Sequence, residues 1–369
     1  MSSRTTIHSL STETLVHIIS LLHSASSLEP PDVPENYDGR ERVFRENDYC
    51  VRDLQRASRV CKRWLEVAQP LFWRHLNVWT CKATKLVLDS PLLGNFITRE
   101  VNFLAGNEDT WCQEEVDWRE HWVLLVEGLR GLRKIVLRVE DGLERGTQMD
   151  TLWIGHDNLQ DLRTLNVNAH FSITHTPPAK FCLHQLELGA LVNSPSLIQS
   201  IFTSSFSSLT SITLRIDAEP DNTKVTQLLA AMRLVSNQLQ TFHLAGTLPG
   251  IEEILPQFNY LQSVSLSLKA PQDISLESVS TVIISLPSSV TSLGLSLQET
   301  PENMRGYMVE ILRKLSIGER GWDGLTVLRC GLCGDGGWSM RGEEEIEEEE
   351  IWTDLMMFCE KKGVEIFAE

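Results

Sequence analysis

Cys330 and Cys333 stand two residues apart inside the string GLCGDGG, a spacing used by thiol redox motifs and by structural zinc sites. A structural zinc needs four ligands. No second pair of that spacing follows, and Cys359 and the distant His residues do not complete a set. The pair therefore reads as two free thiols, and neither a metal nor a cofactor is expected. Gly331, Gly334, Gly336 and Gly337 could in another setting line a phosphate loop. Here Glu343, Glu344, Glu345 and the run Glu347 to Glu350 follow closely and repel an anion, so a surface loop is expected. The chain has no Gly-x-x-x-x-Gly-Lys-Ser/Thr loop, no Gly-x-Ser-x-Gly elbow and no His-Glu-x-x-His pair. Phosphate cradling, serine hydrolysis and zinc peptidase chemistry thus lack their starting residues. A non-catalytic binding protein is expected.

The charge pattern narrows what it binds. Fifty Asp and Glu against 33 Lys and Arg give a net charge of −17, a field that repels phosphate backbones and makes nucleic acid a poor partner. The acids are uneven: the tract EEEIEEEE at 343–350 carries seven of them, while Arg52, Arg56, Arg59, Lys62, Arg63 and Arg74 give residues 51–74 a balance of +4. The Glu tract reads either as a solvated loop or as a patch for a basic partner segment. The N-terminal segment has no uniform apolar stretch of signal-peptide length, and no window of the chain approaches 18 consecutive apolar residues. Eight scattered cysteines and the absence of an Asn-x-Ser/Thr acceptor add to an expectation of cytosol or nucleus, with no membrane association.

Two helical patterns lie near the N-terminus. Leu10, Leu15, Ile18, Ile19 and Leu22 fall close to one face of a helix over about 12–22, with Ser11 or Thr12 placed to cap it. A second helix is expected over 53–69, with Leu54, Ala57, Val60, Cys61, Trp64 and Ala68 on its apolar side and Pro70 as its stop. Residues 24–50 between them carry three prolines and an acid excess but little apolar content, which reads as a mobile loop.

The strings LSTETLVHIISLL (10–22) and DLQRASRVCKRWLEVAQPLFWRHL (53–76) resemble the F-box, a short three-helix module by which substrate receptors dock on the Skp adaptor of cullin ubiquitin ligases. The matching positions are Leu10, Glu13, Leu15, Ile18 and Leu22, then Leu54, Val60, Cys61, Trp64, Ala68, Leu71 and Trp73. Ser11 stands where the family usually has Pro, and the connecting loop is much longer than usual, an expansion known in fungal F-box proteins. The resemblance implies adaptor docking through Leu10, Leu15, Ile18, Leu22, Val60, Cys61 and Trp64.

Beyond residue 75 one pattern recurs, Leu-x-x-Leu-x-Leu. It reads Leu132, Ile135, Leu137; Leu162, Leu165, Val167; Leu183, Leu186, Leu188; and Leu209, Ile212, Leu214. It continues as Leu239, Phe242, Leu244; Leu261, Val264, Leu266; Val290, Leu293, Leu295; and Leu325, Leu328, Cys330. Weaker copies centre on Leu76, Val101 and Val364. The centres are about 29 residues apart, with gaps from 21 to 36, the period of leucine-rich repeats. Helical spacing appears between anchors at 195–204, 225–236, 275–285, 302–315 and 351–361. An ordinary doubly wound α/β domain also alternates strands and helices, but it does not require one local pattern eight times over.

The expected architecture is α/β. A helical F-box-like module at 1–74, with a disordered acidic insert at about 24–50, precedes a leucine-rich-repeat domain at 75–369. That domain is expected to be a solenoid with a curved parallel sheet and outer helices. Within each anchor the two flanking apolar residues point inward and the residue between them faces the open side. Asn166, Glu187, Thr213, His243, Ser265 and Arg329 are the open-side positions expected to meet a protein target. The repeats also resemble the variable ones that follow fungal F-boxes. Together the resemblances imply a ubiquitin-ligase substrate receptor, and the competing expectation is a ligase-independent scaffold built on the same repeats.

Overall fold

The computed structural model describes residues 11–25, 59–78, 81–105, 118–139, 149–171, 176–189, 194–216, 222–246, 248–269, 281–298 except 284, and 324–332, and between 353 and 368 all but 354, 355, 358 and 362. Leu10, Cys333, residues 26–50 and the tract at 343–350 lie outside the described residues, as does the helix expected over 302–315. The chain forms two compact units, Met1–Val136 with Glu140–Gly142, and Leu137–Val139 with Leu143–Glu369.

In the first unit, α1 (Thr12–Ala25) starts where the Ser11 hydroxyl accepts the Thr14 N–H at 3.1 Å. That contact satisfies one of the donors a helix start leaves open. Leu15 and Ile19, one turn apart on α1, bury against Trp64 and Ala68 of α2 (Lys62–Arg74), with Cys61, Val67, Leu71 and Phe72 packed around them. Of the helix expected over 53–69, residues 53–58 lie outside the described residues. Cys61 is extended, with φ −166°, so α2 starts at Lys62, and Pro70 lies inside the helix rather than ending it. An interior proline costs about 3 kcal/mol through its missing N–H and its clash with the preceding turn. Trp64, Ala68 and Trp73, all buried on this helix, supply tertiary packing that outweighs propensity.

The helix passes directly into β1 (His75–Val78), followed by α3 (Cys81–Leu88), β2 (Glu100–Ala105), α4 (Trp118–Gly128) and β3 (Lys134–Val139). β1 and β2 pair in parallel with Leu76 opposite Val101 and Val78 opposite Phe103. Behind them Phe103 meets Trp122 of α4 edge to face at 5.2 Å.

The second unit carries β4 (Thr164–Asn168), β5 (Gln185–Leu188), α5 (Pro195–Ser205), β6 (Ser211–Ile216), α6 (Asn222–Leu234), β7 (Thr241–Gly246), α7 (Ile251–Ile254), β8 (Ser263–Lys269), β9 (Ser292–Gln298), β10 (Val327–Leu332) and β11 (Glu365–Ala368). Each strand from β4 to β11 pairs in parallel with the next in the chain. No reversal of order occurs along these strands, which sets the unit apart from a doubly wound sheet and its switch point. Leu165, Leu186, Ile212, Phe242, Val264, Leu293, Leu328 and Ile366 form one register row. The last anchor thus centres on Ile366 and not on Val364 as the spacing suggested; Val364 precedes the strand.

Among the described crossovers, two of the expected outer helices are present. α5 and α6 span the gaps from Leu186 to Ile212 and from Ile212 to Phe242, close to the expected 195–204 and 225–236. From Phe242 to Val264, the shorter gap holds only the four residues of α7 and a single 3-10 turn, Leu255–Gln257. Hydroxyls stitch the longer crossovers down: Ser205 Oγ, fully buried, accepts the Leu183 N–H at 2.9 Å, and Ser208 donates to the Leu183 carbonyl at 2.7 Å. At the end of β7, Gly246 has φ +99°, and a Cβ there would lie 1.9 Å from the Ile216 carbonyl oxygen. Only glycine fits that close approach.

Candidate functional site

Strand alternation divides β4 to β10 into a buried row and an open row. Opposite the buried row, Asn166, Glu187, Thr213, His243, Ser265, Gly294 and Arg329 stand side by side in continuous register. All six residues singled out from the repeat pattern therefore occupy one line across seven strands. Gly294 interrupts it between Ser265 and Arg329. Asn166 is buried among its neighbours, Glu187, Thr213, His243 and Ser265 are half-buried, and Arg329 is exposed.

The chemistry concentrates at the β4–β7 end. Asn166 Nδ2 donates to one Glu187 oxygen, and Arg215 Nη2 sits 2.8 Å from the other. Burial lowers the half-buried Arg138 guanidinium below its ordinary value, with Glu187 opposing that effect and Arg215 reinforcing it. His243 is lowered by burial and then by the Arg215 charge, with Glu187 pulling the other way. The imidazole is accordingly held neutral at physiological pH. Among the described residues, one acid, Glu187, faces two guanidinium groups on this stretch of sheet, the half-buried Arg138 and the exposed Arg215. Past His243 the same face turns small and hydroxylic, through Ser263, Ser265 and Ser292.

Arg138 and Arg215 were not among the expected site residues. A signal for both was present: each directly follows the last apolar residue of its anchor, Leu137 or Leu214. That places it on the open face one step beyond the position between the anchors.

The residues expected to meet an adaptor are divided by the fold. Leu15 and Trp64 are turned into the core of the helix pair, which corrects their expected role as surface contacts. With apolar faces this short, the two helices spend their largest side chains on each other. Ile18 and Cys61 are half-buried and Val60 is 51% exposed. Leu10 and the Leu22 side chain lie outside the described residues. Two exposed apolar residues went unnoticed in the sequence, Val16 and Leu65, each 42% exposed. Each adjoins a core residue in the chain, and its own position lies off the buried face.

The first unit holds a separate polar network. Glu100, at the start of β2, lies 2.6 Å from Lys134 Nζ and 3.3 Å from His75 Nδ1. Burial pushes its carboxyl up, but the hydrogen bonds to His75 and Lys134 and their charges outweigh that and hold it at about 2. In the next row Asn102 Nδ2 donates to Asn77 Oδ1 at 2.7 Å.

Among the described residues, no group of three or more His, Cys, Asp or Glu is placed to hold a metal ion. Cys61, Cys182 and Cys359 are free thiols, and burial pushes Cys359 up. No described helix is long and apolar enough to cross a membrane. No protein-family model matches the chain, and no curated protein matches it.

Proposed function

We propose that the protein is an F-box substrate receptor: its helix pair docks on a Skp-type adaptor, and its open sheet face holds a protein target for ubiquitination by a cullin ligase. On this reading the repeats form a leucine-rich solenoid, and the chain performs no covalent chemistry. Its contribution is proximity, keeping acceptor lysines at high effective concentration beside an activated donor. The observation that carries the reading is the helix pair. Among the described residues its core is Leu15, Ile19, Trp64 and Ala68 with a few flanking residues, while Val16, Val60 and Leu65 remain exposed. Scattered exposed apolar residues are ordinary on a surface; three on so small a pair favour a partner. The row from Asn166 to Arg329 supports the second half of the proposal, since it offers varied polar side chains on a rigid base.

Co-purification of the full chain with a Skp-type adaptor tests it. The wild type is expected to form a one-to-one complex, Val60→Asp with Leu65→Asp to abolish it, and Glu187→Lys to leave it intact. These substitutions are preferred to changes at Trp64, which would unfold the pair. A folded wild type that fails to bind overturns the adaptor reading and leaves the ligase-independent scaffold.

A further inference from the structure

Three arginines enter three successive strands of the first unit side by side. The Arg99 N–H donates to the Arg74 carbonyl at 2.9 Å, and the Arg133 N–H donates to the Arg99 carbonyl at 2.8 Å. Adjacent strands lie about 4.8 Å apart, so the row extends about 10 Å along the edge where β1, β2 and β3 begin. None of the three guanidinium groups hydrogen-bonds or ion-pairs with a described residue. The Arg74 Nε is buried without a hydrogen-bond partner. Glu100, the acid next in sequence to Arg99, is already committed to Lys134 and His75. The Arg74 charge, then burial, then the Arg133 charge hold Arg99 below its ordinary value, as expected of like charges that no described acid neutralises.

Uncompensated cations in a row cost stability, and a bound anion would relieve the repulsion. The apolar setting narrows the kind of anion. Ile97 is exposed and bridges to Arg130 at the same edge, and Phe96 stacks on Trp73 at 6.4 Å. A single tetrahedral ion is too small to span three cations over that length and gains nothing from an exposed isoleucine. A nucleic-acid strand would run beyond the screening length of about 8–10 Å into the field of a chain of net charge −17. A short peptide that alternates carboxylates with small or apolar residues fits both the length and the mixed character of the edge.

We propose that the strand-entry edge at Arg74, Arg99 and Arg133 is a docking site for an acidic peptide segment of a partner protein. It does not depend on adaptor docking by the helix pair, so either can fail alone. The test is fluorescence anisotropy of a labelled Glu-Ser repeat peptide with the full chain, beside a Gln-Ser peptide and an oligothymidylate of equal charge, at low and at physiological salt. The Glu-Ser peptide is expected to bind, to weaken as salt rises, and to lose about tenfold or more in affinity on Arg99→Gln with Arg133→Gln. The Gln-Ser peptide is expected not to bind. Equal binding by the double variant, equal binding of the Gln-Ser peptide, or tighter binding of the oligothymidylate overturns the proposal. Arg133 is exposed, so Arg133→Gln alone keeps the test decisive: undiminished binding by that variant, with an unchanged circular dichroism spectrum, also overturns it.

Discussion

Each unit sets one carboxylate among cations on its sheet face, and the two settings differ in what is left over. Around Glu100 the hydrogen-bonding partners are consumed: Lys134 and His75 both close on the one carboxylate. Around Glu187 the described cations are in excess, because the exposed Arg215 pairs with it while the half-buried Arg138 has only a share of its charge. A closed network of the first kind stabilises a fold. The second kind has unspent donors, and such surfaces are where a ligand's carboxylates gain most.

Three measurements would break or sharpen that contrast. The largest effect is expected in the base under the second face. Phe242 is fully buried in the anchor row, while His243 beside it is on the open face. Phe242→Ala should cost about 3–5 kcal/mol, and His243→Ala should stay within about 1 kcal/mol, both read by urea denaturation. Comparable losses at the two positions would mean that the open face is as structural as the buried one.

The next effect belongs to Glu100. Its folded carboxyl is held at about 2, against about 4.3 for an unfolded glutamate. The stabilisation it brings is therefore complete above pH 4.3 and is lost as pH falls from there toward 2, up to about 3 kcal/mol in all. Hydrogen exchange of β2 amides should show this acid loss, and Glu100→Gln should flatten it. A β2 with the same pH dependence in both proteins would place the first unit's stability elsewhere.

The smallest effect is a titration. Because the Arg215 charge helps to lower His243, Arg215→Ala should move the imidazole pKa upward in an NMR titration. An unchanged pKa would show that neither Arg215 nor Glu187 reaches His243 and that the cluster is not one electrostatic unit.

Much of the second unit was legible because one physical demand, an apolar pair flanking an open position, is written into every repeat. The register that aligns Asn166 with Arg329 across seven strands follows from that demand alone. Where the pattern weakened it misled, as at Val364, since Ile366 and not Val364 pairs with Leu328. In the helix pair, periodicity found the right residues but could not say which faced inward. Leu15 and Trp64 were expected to meet an adaptor and pack in the core of the pair, because the same apolar stripe serves an internal neighbour or an external one. Pro70 was misread for a related reason: local propensity carries no information about the packing of Trp64 and Trp73. Arg138 and Arg215 escaped because their significance lies in proximity to Glu187, a relation between repeats that no single repeat displays.

The crossovers carry a last consequence. Helices fill two described returns of the second unit, those from β5 to β6 and from β6 to β7, and a four-residue helix with a tight turn suffices in the next, while the strands on either side keep the same pairing. Insertions and deletions behind the sheet are thereby uncoupled from the order of residues on its open face. Such a chain can lengthen or shorten between strands over evolutionary time and still present its recognition residues in an unbroken line.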